Sequence, residues 1–144
     1  MMIPVLILQL KDKTDLSDNE KTSKALFAMV FFGVGEIFGG LMMGLFIDKF
    51  GSKCASVKNI ILVMMVVAIT YYAIYIGEYG YLSFMMTFMW GYMDGALNIH
   101  CFQICGFQFI GQSEPFAVMN VTQGFAIFCF QMIQGYLVDE TSAE

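Results

Sequence analysis

The sequence contains no arginine, and this absence narrows what the chain can bind. Its seven basic residues are all lysines, and the last of them is Lys58. Guanidinium groups are the preferred ligands for phosphates and nucleic acids, and arginine-rich leaders are typical of mitochondrial transit peptides. A net charge of −5 and the lack of a basic stripe therefore argue against nucleic acid as a partner.

Charged residues of either sign are also scarce. They make up 13% of the 144 residues, while 58% are hydrophobic, and soluble domains usually carry about a quarter charged residues. Only two prolines interrupt the chain, which also has 14 glycines, and small residues let helices pack closely in membranes. The composition predicts an all-α integral membrane protein rather than a soluble bundle with buried helices.

The sequence lacks the spacings of a disulfide scaffold or a metal site. Its four cysteines do not have the paired spacing that is typical of disulfide scaffolds. The spacing of His100, Cys101 and Cys105 does not match that of a tetrahedral zinc site. No nucleophile–base pair or phosphate-binding loop is evident. We therefore expect no metal, no cofactor and no enzymatic activity.

Hydropathy divides the chain into three parts. Residues 1–24 are a short apolar stub and a polar linker, residues 25–138 a four-span membrane domain, and residues 139–144 an acidic tail. The stub is too short to cross a bilayer, which needs roughly 20 helical residues.

Four transmembrane helices are predicted within the membrane domain, at residues 25–47, 59–76, 81–110 and 115–138. The short turn Gly77–Gly80 predicts that the second and third spans are antiparallel neighbours. The third span would reach roughly 45 Å as one helix. It should therefore tilt, project beyond the membrane, or break near Gly91 and Gly95.

Glu36, Asp94 and Asn98 are polar residues in the middle of these spans. His100, Gln103 and Gln123 also lie within them, and we expect these three side chains to hydrogen-bond across helices. Such residues usually face a partner or a cavity. Asp94 and Asn98 share one helix face, either as a proton or cation relay or as hydrogen-bonding groups between packed helices. We favour the packing interpretation, because the other walls of a transport cavity are not evident.

Glycines recur at four-residue spacing on two of the spans. They are Gly35, Gly39, Gly40 and Gly44 on the first span and Gly91 and Gly95 on the third. This spacing is typical of close helix contacts in membranes. We expect a helix of a partner protein to lie against Gly35, Glu36, Gly39, Gly40 and Gly44.

The loop between the first two spans has a recognisable pattern, formed by Gly44, Asp48, Lys49, Gly51 and Lys53. It resembles the signature loop of the major facilitator superfamily, from which Ser52 departs. Two later stretches resemble the ion-channel-regulator (uncoordinated-type) branch of that superfamily: residues 91–98, with Gly91, Asp94, Gly95 and Asn98, and residues 114–130. Gly124 and His100 differ from that branch.

The resemblance implies a partial major-facilitator-type bundle. The four spans correspond to helices eight to eleven of the twelve-helix fold, and the Asp48 loop would face the cytoplasm or the mitochondrial matrix. Lysine counting alone leaves the orientation open, because four lysines precede the first span and three follow it.

Two functions fit these expectations. The favoured one is a non-catalytic accessory subunit of a larger membrane complex, with a respiratory or other energy-transducing complex as one candidate host. The alternative is a fragment or half of a secondary transporter for a small solute or ion. Both require the lipid bilayer and other membrane subunits, or a second copy, as partners. The sequence does not distinguish the mitochondrial inner membrane from plasma or organelle membranes.

Overall fold

The computed structural model describes residues 18–76 and 81–141, and all regular structure there is helical. Helix α1 spans Asp18–Ile76, α2 Tyr81–Gln108 and α3 Glu114–Thr141. The prediction of an all-α fold is confirmed for this part of the chain. The apolar stub, most of the polar linker, the turn Gly77–Gly80 and the last three residues lie outside the described residues.

Helix α1 is folded back on itself at Gly51. This residue has φ 80° and ψ 166°, a backbone conformation that is essentially restricted to glycine. It separates a first arm, residues 18–50, from a second arm, residues 52–76. Lys58 reaches Met43 near the turn, and Ala28 and Ala73 belong to one cluster far from it. The two arms are therefore antiparallel.

Helix α2 packs against both arms and completes the core. Its Ala96 joins a buried cluster drawn from the two arms, which comprises Met43, Ile47, Ala55, Leu62 and Val66. The helix runs parallel to the first arm and antiparallel to the second, where the Trp90 indole N–H donates to the Thr70 hydroxyl at 2.8 Å. The helix is continuous, so the predicted alternative of a break near Gly91 and Gly95 is wrong.

Helix α3 begins after a short turn and packs mainly against α2. The Ala117 N–H donates to the Ser113 carbonyl at 3.3 Å, which places Pro115 in the first helical turn, as predicted. The Phe102 and Phe116 rings stack at 6.1 Å between centroids. Several large apolar side chains of α3 are exposed, among them Val118, Val121, Phe125 and Phe130.

Two helical segments in the described part of the chain are long and apolar enough to cross a membrane. They are Leu26–Ile76, which includes both arms of α1, and Glu114–Ile133 of α3. Helix α2 buries Thr87, Gly91, Gly95 and His100 against its neighbours. The number of four membrane crossings stays a prediction.

Candidate functional site

Four glycines form the closest contact between α1 and α2. Gly35 and Gly39 lie against the backbone of α2, and Gly91 and Gly95 lie against the backbone of α1. A Cβ atom on any of them would collide with backbone atoms of the facing helix, which belong to Phe32, Glu36, Phe88 and Tyr92. The two helices can approach this closely only because side chains are absent at all four positions.

This contact corrects the expected position of a partner helix. The chain's own α2 covers Gly35 and Gly39, so the prediction that an outside helix lies against these two residues is wrong. A Cβ atom added at Gly44 would have no heavy atom of a neighbouring residue within 4 Å, and one added at Gly40 would lie 3.2 Å from the Ile99 side chain. The open part of the predicted face therefore lies beside Gly44, not beside Gly39.

Glu36 points away from the helix contact. Its backbone carbonyl faces Gly95, while its side chain is exposed, as is Ile37 at 64%. Gly33 has open space where a Cβ atom would lie. We call the surface formed by Gly33, Glu36, Ile37, Gly40 and Gly44 the Glu36 face.

The structure brings Asp94 and Asn98 together with a third polar residue from α3. The Asn98 amide donates to the Asp94 carboxylate at 3.3 Å, and the Gln123 amide donates to the Asn98 carbonyl oxygen at 3.3 Å. Asp94 and Asn98 are half-buried. This chain of hydrogen bonds joins α3 to α2, which is an arrangement that holds helices together.

A second polar cluster links α2 to the second arm of α1. His100 is 6% exposed and Asn59 is 4% exposed. The Asn59 amide nitrogen is 3.1 Å from His100 Nδ1, and the Ser52 hydroxyl is 3.1 Å from His100 Nε2. The sequence-based expectation that His100 hydrogen-bonds across helices is confirmed, whereas the role of Asn59 was not predicted.

The Ser52, Asn59 and His100 side chains thus form a hydrogen-bonded connection between α2 and the second arm of α1. The Asn59 Oδ1 atom is buried without a hydrogen-bond partner.

Lys58 lies between the helices instead of extending to the membrane surface. Its ammonium is 3.4 Å from the Tyr92 hydroxyl and 3.7 Å from the Met43 sulfur. It also lies 4.9 Å from the centroid of the Phe46 ring. Cation–π contact stabilises a partly buried ammonium. The sequence did not reveal this position, because spacing alone does not give the direction of a flexible side chain.

The signature-like loop borders a cavity of about 420 Å³ at the Gly51 end of the bundle. The cavity is lined by Ile47, Asp48, Gly51, Ser52, Gln103, Ile104, Phe107 and Gln108. Lys49 and Lys53 are exposed and do not line it, and the Lys49 ammonium lies 5.5 Å from the Phe50 ring centroid. The loop and the end of α2 thus line one open cavity.

Gln103 departs from its predicted role. We expected its side chain to hydrogen-bond across helices, but its Oε1 atom is buried without a hydrogen-bond partner. Gln123 does bond across helices, as expected. An unpaired buried acceptor is costly, which makes Gln103 notable among the cavity residues.

The described residues include no group of three or more His, Cys, Asp or Glu side chains that could hold a metal ion. All four cysteines are free. No family model, curated protein or solved structure matches the chain.

Proposed function

We propose that the chain is an integral membrane protein that acts as a non-catalytic accessory subunit of a larger membrane complex. The four helical segments, counting the two arms of α1 separately, would each cross the bilayer. The two apolar segments Leu26–Ile76 and Glu114–Ile133 support this proposal. The resemblance of the Asp48 loop to the signature loop of the major facilitator superfamily also supports it. The chain would have originated as part of that fold.

The observation that carries the proposal is the Glu36 face. It presents a carboxyl group in the middle of an apolar helix, with open space above Gly33 and Gly44. Among the described residues, the Glu36 carboxyl has no hydrogen bond or ion pair. A hydrogen-bond partner for the Glu36 carboxyl would therefore have to come from another molecule.

The surroundings of the carboxyl decide what that partner must be. An acidic side chain facing lipid at mid-membrane depth costs about 3 kcal/mol or more. A helix of another protein would remove this cost by donating a hydrogen bond to Glu36. It would also use the small residues at Gly33 and Gly44 for close approach. A respiratory or other energy-transducing complex of the mitochondrial inner membrane is one candidate host.

The experiment compares two glycines of α1 that differ only in what they face. Gly44→Leu fills open space and should release the chain from its native detergent-solubilised particle without unfolding it. Gly39→Leu collides with α2 and should destabilise the chain itself. Native electrophoresis reports the particle, and circular dichroism reports the fold. If both Gly44→Leu and Glu36→Leu stay in the large particle, the subunit proposal fails.

A secondary transporter, or a half of one, is the alternative, and one observation favours it. The hydrogen-bonded chain formed by Asp94, Asn98 and Gln123 places a carboxyl group between two helices, where transporters position coupling ions. Asp94→Asn should preserve assembly, because an amide can still bond to Asn98. A proton- or ion-coupled flux in proteoliposomes that Asp94→Asn abolishes would favour transport over the subunit function.

A further inference from the structure

The cavity at the Gly51 end has features that the proposed subunit function does not use. At about 420 Å³ it falls within the usual size range of small-molecule pockets, about 300–1,000 Å³. It lies at the end of the helices, whereas the Glu36 face lies along the first arm. Its lining combines three apolar side chains, Ile47, Ile104 and Phe107, with polar groups at the loop.

The polar groups of the cavity favour a ligand that donates hydrogen bonds and carries positive charge. Asp48 is the only charged residue of the lining. Gln103 adds a carbonyl oxygen that is buried and has no partner. The Ser52 hydroxyl is already joined to His100. The cavity therefore offers one unpaired acceptor, the Gln103 oxygen, and one negative charge, Asp48.

Other ligand classes fit these groups poorly. An anion would meet Asp48 and no cationic side chain, because neither neighbouring lysine lines the cavity. A purely apolar ligand would leave the Gln103 oxygen without a partner, which is unfavourable. A metal ion would find one carboxylate where it needs several oxygen ligands.

We propose that this cavity binds a small organic cation, namely a primary ammonium attached to an aromatic or aliphatic body. The ammonium group pairs with the Asp48 carboxylate and donates to the Gln103 amide oxygen after a rotation of that side chain. The apolar body packs against Ile104 and Phe107. The face of the Phe107 ring also attracts the bound ammonium. The site is independent of whether a partner covers the Glu36 face.

The chain supplies its own reporter for this site. His100 is the only histidine in the sequence, and its Nε2 lies 3.1 Å from the hydroxyl of Ser52, a residue of the cavity lining. A ligand that displaces Ser52 slightly will change the magnetic environment of the imidazole ring. Isotope-labelled histidine therefore gives one assigned NMR signal, provided that the purification tag contains no histidine.

The experiment titrates the full chain in detergent micelles with benzylammonium chloride and, separately, with benzyl alcohol as a neutral probe of the same shape. We expect a saturable shift of the His100 signal with the ammonium, with a Kd on the order of 1 mM, and no saturable shift with the alcohol. Equal responses to both probes would show partitioning into apolar surface and would overturn the proposal. So would the absence of any saturable response to the ammonium.

Substitution of Asp48 tests whether the NMR response to benzylammonium comes from binding in this cavity. Asp48→Asn should weaken binding by about tenfold or more, because a charge-assisted hydrogen bond becomes a neutral one. Glu114→Gln removes a carboxylate that does not line the cavity and should leave binding unchanged. Unchanged binding in Asp48→Asn would place the ligand elsewhere and overturn the proposal.

Gln103→Met separates a ligand role from a packing role. The oxygen that it removes has no partner in the folded chain, so the substitution should not lower stability. If the oxygen receives the ammonium, benzylammonium binding should weaken while thermal stability is preserved. Unchanged binding in Gln103→Met would overturn the assignment of this residue to the site.

Discussion

At the residue scale, the contact between α1 and α2 depends on the absence of side chains. Gly95 faces the Glu36 carbonyl, and Gly91 faces the Phe32 carbonyl. Backbone atoms cannot move aside as the end of a flexible side chain can. A single added carbon at these positions must therefore push the two helices apart.

Substitution of these glycines should separate a packing effect from a helix-propensity effect. Gly95→Ala is expected to destabilise the fold by about 1–3 kcal/mol, because the new methyl group overlaps the backbone of α1. Gly33→Ala enters open space and is expected to be neutral or to stabilise α1 by up to about 1 kcal/mol. Unfolding by titration with SDS in mixed micelles measures both. Similar losses for the two variants would contradict the observed contact.

The buried pair of His100 and Asn59 gives a second prediction at this scale. His100→Leu leaves the Asn59 amide buried without its partner and should cost about 1–3 kcal/mol. Replacing both partners by leucine removes the unpaired group, so the double variant should recover much of this loss. The same unfolding assay gives all the values. Losses that simply add would show that the two side chains do not interact.

Sequence patterns identified several of these residues but not what they contact. Repeated glycines predicted a close helix contact, yet the expected partner lay outside the chain because the resembled fold has further helices there. The direction of Lys58 and the pairing of Asn59 with His100 depend on how α2 is rotated between the two arms. That rotation is set by packing across distant parts of the sequence and not by local spacing.

At the element scale, Gly51 alone reverses the direction of α1. The sequence predicted a loop over residues 48–58, between the first two spans, that includes this glycine. It did not predict that helical structure resumes at the next residue, which makes the connection far shorter than the predicted loop of residues 48–58. Local propensity marks the position of a turn more reliably than its length, because tertiary packing decides how much of the flanking sequence becomes helical.

A substitution at Gly51 should test this connection. Gly51→Ala must either adopt a strained backbone or open the turn, and the expected loss of stability is about 1–3 kcal/mol. Gly124→Ala, in exposed α3 with open space around it, is the matched control and should not destabilise the fold. Thermal unfolding followed by circular dichroism compares the two. A Gly51→Ala variant as stable as the control would argue against the reversal at this residue.

At the scale of the whole molecule, the proposal of four membrane crossings predicts that both termini lie on the side opposite the Gly51 turn. Cys54 is exposed close to this turn. In a variant that retains only Cys54, a membrane-impermeant thiol reagent should label the protein from one side. Lys13→Cys and Ser142→Cys, each in a background without native cysteines, should be labelled from the other side. Labelling of positions 13 and 142 from opposite sides would exclude the four-span arrangement.

The burial of α2 between the arms of α1 has a consequence for biosynthesis. The chain is made from its N-terminus, so the hairpin of two apolar arms leaves the ribosome before α2 does. Helix α2 carries Asp94, Asn98 and His100 and is the least suited of the three helices to enter lipid by itself. In the proposed membrane protein, the arms would receive α2 as it leaves the translocon, because they present Gly35 and Gly39 to its backbone and the Asn59 amide to His100. Under the proposed membrane location, the order of the first two helices along the chain matches the order in which a bilayer would accept them.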